Sequence, residues 1–450
     1  MTSSWVSSRL GVRLMDGSRP VGAGLSSLVG LAVRRNPRRA HLLVSAVLGK
    51  HVPTDPRLVY GSGLLLGDLV RARLRGEDAA HPGSLLPDAL GGAPGAAARL
   101  RDLMRAPRVP VDAIVLGYAE TATALGHSVA DALGGAYYLH STRRPVPGFA
   151  TYGGFEEEHS HATSHLLLPA DAAMLDRDVP VVLVDDELST GRTVLNTIEA
   201  LHAVRPRDHY VLAALVDLRG PGDRARMDDL ADRLGTRIDA VALAGGHVEL
   251  PEGILAAGQA LVAGLCGDSA VPDGPPFKVT RAELEWPAGL PDGGRHGFQP
   301  EHRARLEKDL ARMADVLAAE LDAVSRVLVL GFEELMYAPL RLAEALADAL
   351  PSVDVRYSTT TRSPVLAVDD PGYAIRTRLV FPSHDDPADG PGERYAYNVV
   401  AGSDQRGFDQ IVFVVDDVGD TEALAGGLLE RLRALAPVLV ATVPAHGRDS

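Results

Sequence analysis

The sequence holds a single cysteine, Cys266, in 450 residues. That excludes an internal disulfide framework and fits a reducing, cytoplasmic setting. Cys266 follows a short apolar stretch, residues 254–265, so it reads as core packing rather than as a nucleophile. Positive charge is also scarce: 45 Lys and Arg against 59 Asp and Glu leave a net charge of −14. A nucleic-acid backbone is therefore a poor partner for the chain as a whole. No run approaches the roughly twenty apolar residues that a membrane span needs, and the start of the chain shows no basic–apolar–small export pattern. The expectation is no nucleic acid and no membrane. What the chain does have is length enough for two or three domains with full cores.

Its organising stretch is residues 180–201. Val181, Val182, Leu183 and Val184 read as a strand buried on both faces. Asp185 and Asp186 stand where it ends. Ser189, Thr190, Gly191, Arg192 and Thr193 then make a small-residue turn, and apolar residues recur at helical spacing over 194–201. A turn that opens a helix presents unpaired backbone N–H groups at the positive end of the helix dipole. Ser189, Thr190 and Thr193 add hydroxyl donors, and Gly191 lets backbone approach a ligand. This is a cradle for one phosphate monoester. Two carboxylates at the strand end suit sugar hydroxyls or a divalent metal. Together they describe a site for a ribose 5-phosphate. A capped helix start explains any one of these features but not the whole pattern.

The pattern resembles the PRPP-binding signature of type I phosphoribosyltransferases: hydrophobic strand, two acids, then a T-G-x-T loop, with Arg192 where Gly is more usual. The resemblance implies an α/β fold, a type I phosphoribosyltransferase-like parallel sheet with flanking helices. It implies that Asp185 and Asp186 contact the ribose hydroxyls of PRPP. It puts Ser189, Thr190, Gly191, Arg192 and Thr193 on the 5-phosphate. Mg2+ is implied on the pyrophosphate, with Asp185 and Asp186 meeting the metal through PRPP. Gly117 and Tyr118, in the loop after the first strand, fall beside the pyrophosphate, although Glu120 in that loop is out of place for the task.

Strands and helices alternate from residue 111 onward: strand 111–117, helix 124–133, strand 136–140, the central strand, strand 209–218, helix 224–234 and strand 238–243. This predicts a parallel sheet that binds ligands at the carboxyl ends of its strands. The connection 141–165 is polar, Gly/Pro-punctuated and too long for an ordinary loop, which marks a lid. Arg143 and Arg144 are candidates to carry charge opposite a leaving group. Glu158, His159 and His161 are candidates to relay a proton, and His159, His161 and His165 also have a spacing open to zinc. Earlier in the chain, residues 1–30 read as one or two strands with a turn, 32–48 as a helix, and 75–109 as a loop with a short helix. Residues 61–67 look like a dinucleotide loop but follow no strand, so that reading is discarded.

Residues 268–298 are Pro/Gly-rich and read as a linker. Residues 301–323 have the spacing of an amphipathic helix, which could serve a homodimer or a domain interface. The alternation then restarts: 325–331 parallels 111–117, 359–364 parallels 141–145, and 411–421 parallels 181–190. This predicts an internal duplication, a second and diverged copy of the same α/β unit. Asp420 and Glu422 put negative charge where a 5-phosphate would sit, so this copy is predicted to bind no PRPP. Asp416 and Asp417 could still hold a sugar diol. Thr361-Arg362-Ser363-Pro364 resembles the motif of a phosphoribosyltransferase family of bacterial tellurium-resistance and stress clusters with a C-terminal TRSP domain. Gly49-Lys50-His51 and Asp292-Gly293-Gly294-Arg295-His296 also look like that family. The expected division is a transferase domain at 1–267 (extension 1–109, core 110–267), a linker at 268–298 and a TRSP-type domain at 299–450. The expected activity is magnesium-dependent transfer of 5-phosphoribose from PRPP to an unidentified acceptor, in the making of a nucleoside-like metabolite. A PRPP-sensing regulator and a PRPP synthetase are the alternatives.

Overall fold

The computed structural model describes residues 4–35, 39–143, 146–155, 165–265, 275–383 and 392–445. In the first half six strands lie in the order Arg13–Asp16, Arg237–Glu249, His209–Asp217, Val181–Leu188, Ile114–Gly117, Tyr137–His140. All neighbours are parallel except Arg13–Asp16, which pairs antiparallel with the far end of Arg237–Glu249. Val182 and Val184 pack on one face of this sheet and Leu183 on the other, all buried, which is why the run shows no polar alternation. Counted along the chain, the five parallel strands lie second, first, third, fourth, fifth. The winding therefore reverses between Ile114–Gly117 and Val181–Leu188, where an α/β sheet opens a crevice at its strand carboxyl ends.

The second sheet repeats this. Asp354–Thr359, Arg326–Gly331, Gln410–Asp416 and Val438–Val443 are parallel and lie in the same second-first-third-fourth order. Its far edge differs. There the fifth strand is Val279–Ala282, parallel to Val438–Val443 and drawn from the segment expected as a linker. The same segment also reaches the first half. Tyr138 and Phe298 exchange backbone hydrogen bonds at 2.9 and 2.8 Å, and the His140 N–H donates to the Gly294 carbonyl at 2.9 Å.

Helices Pro56–Arg75, Thr123–Leu133 and Tyr337–Ala349 stack between the two sheets and share one continuous core, while each outer sheet face has a smaller core of its own. The glycine-rich 61–67 stretch lies inside helix Pro56–Arg75 and is a packing face. A Cβ on Gly63 would stand 2.4 Å from Ser128 Cβ, and one on Gly67 2.5 Å from Ala132 Cβ. Buried polar pairs join the halves: Tyr337 of the second donates to Asp131 of the first at 2.6 Å, and Arg101 of the first donates to Glu344 of the second at 3.0 Å. Helix Pro300–Ala319, the one expected at 301–323, buries Leu306, Leu310, Met313 and Leu317 in this layer beside Tyr337–Ala349.

Three local expectations are corrected. Among the described residues of 32–48 there is no helix; Val29–Val33 and His41–Ser45 make an antiparallel hairpin. Both strands are almost wholly buried, and a short apolar run without alternation fits either element by pattern alone. The first thirty residues include helix Ser4–Leu10 as well as a strand. Helix Ile254–Gly264 buries only Gly258, so it contributes little to the core; Cys266 lies outside the described residues. Among the described residues no helix is long and apolar enough to cross a membrane.

Candidate active site

The central strand runs on through Asp185, Asp186 and Glu187, so the two acids are its last turns of pleat rather than the residues beyond it. The Asp186 N–H donates to Asp185 Oδ1 at 2.9 Å. Gly191 caps helix Arg192–Val204 at φ +74°, a conformation that costs any other residue about 1–2 kcal/mol. Behind the loop, Arg219 is buried in a double hydrogen bond to Asp217, both arms at 3.0 Å.

A cleft of about 360 Å³ opens at the reversal of the sheet winding, within the range of small-molecule sites. One wall carries Asp185, Asp186, Glu187, Ser189 and Thr193; the floor is Tyr118 to Thr121. Arg143 also lines it. Thr190, Gly191 and Arg192 belong to the same loop but do not line the cleft. Gly117 lies below, where a Cβ would meet the Tyr138 hydroxyl oxygen at 2.4 Å and the Ala122 carbonyl at 2.8 Å; close packing explains this glycine. Arg144, Glu158, His159 and His161 fall outside the described residues. His165, the third member of the zinc-like spacing, is buried with Nδ1 2.8 Å from Ser141 Oγ. Among the described residues no group of three or more His, Cys, Asp or Glu is arranged to hold a metal.

The remaining walls come from parts of the chain outside the site residues that the sequence predicts. Arg34, Arg39, Lys50 and His51 enter from the N-terminal extension, and Thr361-Arg362-Ser363-Pro364 from the second half. Glu120 explains their placing. Its buried carboxylate accepts from Thr361 Oγ at 3.2 Å, meets Arg362 Nε at 2.9 Å and lies 3.8 Å from Lys50 Nζ. Lys50 Nζ also donates to Thr121 Oγ at 2.8 Å. Arg362 Nε is shared with Glu333 at 2.7 Å, and Glu333 in turn with Arg394 at 2.7 Å. The residue that looked misplaced in a pyrophosphate-side loop is thus the anchor of two cations from elsewhere in the chain. The misfit of Glu120 was itself the available signal. Burial, and then the charge of Glu187, hold the Asp186 carboxyl above its ordinary range, while Lys50 pulls it down. Burial, with Lys50 and Arg34 nearby, pushes His51 well below the usual imidazole range, so it is neutral at physiological pH.

The halves meet reciprocally. Thr142 of the first donates to Glu334 of the second at 2.9 Å, and Thr361 of the second donates to Glu120 of the first. Thr142 exchanges backbone bonds with Leu166, as Thr361 does with Tyr395. Such mutual contacts mark an approximate two-fold relation between the copies. The corresponding place in the second copy is filled. Arg295 enters it from the 292–295 turn, with Nε 3.3 Å from Glu334 and a terminal nitrogen 3.7 Å from Asp416. Asp417 accepts the Ala445 N–H at 3.0 Å, and Asp420 holds Arg281 and Thr442 at 2.9 and 3.0 Å. These acids are engaged within the protein.

Residues 28–247 match a family described as phosphoribosyl transferase, and residues 292–432 match the TRSP domain that lies C-terminal to it. No curated protein matches. Solved structures similar to parts of the chain include three adenine phosphoribosyltransferases. That of Trypanosoma brucei, in complex with AMP, pyrophosphate and ribose-5-phosphate, is 16% identical over 38% of this chain and 67% of its own, with a TM-score of 0.23. That of Giardia lamblia, with 9-deazaadenine, is 22% identical over 35% and 83%, at 0.23. That of Rhodothermus marinus is 14% identical over 48% and 95%, at 0.28. The two family matches, in that order along one chain, coincide with the two copies of the α/β unit, and the chain belongs to the phosphoribosyltransferase family that carries a C-terminal TRSP domain.

Proposed function

We propose that the protein transfers 5-phosphoribose from PRPP to a base or other nucleophile, yielding a nucleotide-like product on the way to a nucleoside-like metabolite. The observation that carries this is the joint placing of Asp185, Asp186, Ser189 and Thr193 on one wall of the cleft, with cations facing them. Asp185 and Asp186 accept hydrogen bonds from the ribose hydroxyls and so fix the ring. Ser189, Thr190 and Thr193 donate to the 5-phosphate, and the backbone N–H groups that open helix Arg192–Val204 add to the same cradle. The acceptor's lone pair forms a bond to C1 on the face opposite the pyrophosphate; the C1–O bond breaks and the pyrophosphate leaves with its electron pair. Arg143 and Arg144 oppose the charge on that leaving group. Glu158, His159 and His161, in the connection expected as a lid, take up the acceptor's proton and exclude water.

Magnesium would supply further charge on the pyrophosphate. It binds through one or two carboxylates and substrate phosphates while keeping several waters. Asp185 and Asp186 fit that mode without a three-ligand protein cage, and the crowding of Asp186 by Glu187 favours a cation beside it. Incubation with PRPP, Mg2+ and a panel of nitrogenous bases, followed by pyrophosphate release, tests the proposal. Release that depends on the acceptor and vanishes in Asp185→Asn/Asp186→Asn supports it. Hydrolysis at the same rate in both proteins contradicts it.

A further inference from the structure

We infer that the TRSP-type half is a built-in partner subunit: with Lys50 of the extension, its Arg362 completes the pyrophosphate end of the first half's site. The inference rests on the proposed PRPP reading and names Arg362, a residue that the transferase half alone does not contain.

The argument starts from charge. The wall made by Asp185, Asp186 and Glu187 repels any part of an anionic group that no cation bridges to it, so the pyrophosphate extends toward the floor loop and the opposite wall. There the floor contributes Glu120, and a bare carboxylate would repel the ligand. Glu120 is instead held between Arg362 at 2.9 Å and Lys50 at 3.8 Å, and both of these line the same cleft. A second carboxylate, Glu333, is shared by Arg362 and Arg394. The group of Lys50, Arg362, Arg394, Glu120 and Glu333 therefore has more cations than anions, and its two cleft-lining cations face the ligand space.

The placing is stiff as well as charged. Thr361 is fully buried and bonded on both sides, by its hydroxyl to Glu120 and by its backbone to Tyr395 at 2.8 Å in each direction. The Lys50 segment is laid across the second sheet: Thr54 exchanges backbone bonds with Tyr357 at 3.0 and 2.8 Å, and Asn398 donates to the His51 carbonyl at 2.8 Å. Both cations are thus positioned by the second half. That half has exchanged its own site for the Arg295 plug, yet keeps the one contact through which a two-fold-related copy can reach its neighbour's cleft. Its loss of a phosphate loop and its retention of the Thr-Arg pair then have one explanation.

The test measures two ligands by calorimetry, each with Mg2+: inorganic pyrophosphate and ribose 5-phosphate. Arg362→Ala is expected to weaken pyrophosphate by about tenfold or more, the value of a charge-assisted hydrogen bond, while ribose 5-phosphate stays within about twofold. Arg362→Lys is expected to restore part of the loss. Lys50→Ala is a second variant that leaves the TRSP segment in place, and it should show the same selective loss. Wild-type binding of both ligands with unchanged pyrophosphate affinity in Arg362→Ala and Lys50→Ala overturns this inference alone. Equal weakening of both ligands also overturns it, since that is general loosening. Failure of the wild type to bind either ligand overturns the PRPP reading and this inference with it.

Discussion

Replacing Arg295 by Ala should destabilise the protein strongly. The Arg295 side chain is 15% exposed and stands between Glu334 and Asp416, which are 2% and 5% exposed. Its guanidinium is held charged, burial opposing this and Glu334, Asp292 and Asp416 outweighing it. Removing one partner of a buried ion pair costs roughly 3–5 kcal/mol, because the other charge is left behind without water. Part of that loss is offset here. Glu334 keeps the Thr142 hydroxyl at 2.9 Å, and Asp416 keeps the Gly419 N–H at 2.7 Å. The expected cost is therefore about 3 kcal/mol, at the lower end of that range. Arg295→Met combined with Glu334→Gln and Asp416→Asn removes all three charges and should cost only about 1 kcal/mol. Equilibrium urea unfolding at neutral pH reads both values. Trp286, whose indole donates to the Leu290 carbonyl at 2.9 Å, gives a fluorescence signal from the same segment. A cost below about 0.5 kcal/mol for Arg295→Ala, the level of an ordinary surface change, would refute the account of this turn as a plug.

Two further outcomes are expected. Gly191→Ala forces a side chain into the left-handed region and sets its Cβ 3.1 Å from Arg219 Cδ. Ribose 5-phosphate affinity should fall about tenfold, the equivalent of roughly 1.4 kcal/mol of strain in the loop; unchanged affinity in calorimetry would remove the loop from the site. Burial lowers His140 from 6.5 to about 4. Between those values the unfolded chain binds a proton that the folded protein does not, so stability falls as pH drops from 6.5 toward 4, by about 1.4 kcal/mol per pH unit, and is unaffected well above 6.5. Urea midpoints across that window should slope less in His140→Gln than in the wild type; equal slopes would contradict the assignment.

Much of the first half was legible because its signals are local. A branched apolar run, two acids and a Gly-containing turn lie within fourteen residues, and each dictates its own backbone. The duplication was legible for the same reason, as order and spacing repeat. Lys50 and Arg362 were not legible as site residues. Each reaches the cleft through tertiary contacts more than 200 residues apart in the chain, such as Thr361 with Glu120, and nothing in their own neighbourhoods encodes that. The hairpin at 29–45 was missed because burial on both faces erases the period that tells strand from helix. The segment 268–298 reads as a linker because Gly and Pro serve turns inside a packed structure as well as between domains. Gly294 shows this: a Cβ there would stand 2.3 Å from the Tyr138 ring.

The central claim is tested most directly by calorimetric titration of the full chain with PRPP and Mg2+, beside Asp185→Asn/Asp186→Asn. The account predicts magnesium-dependent binding by the wild type and its loss in the variant. Equal binding by both proteins, or none by the wild type, would contradict it.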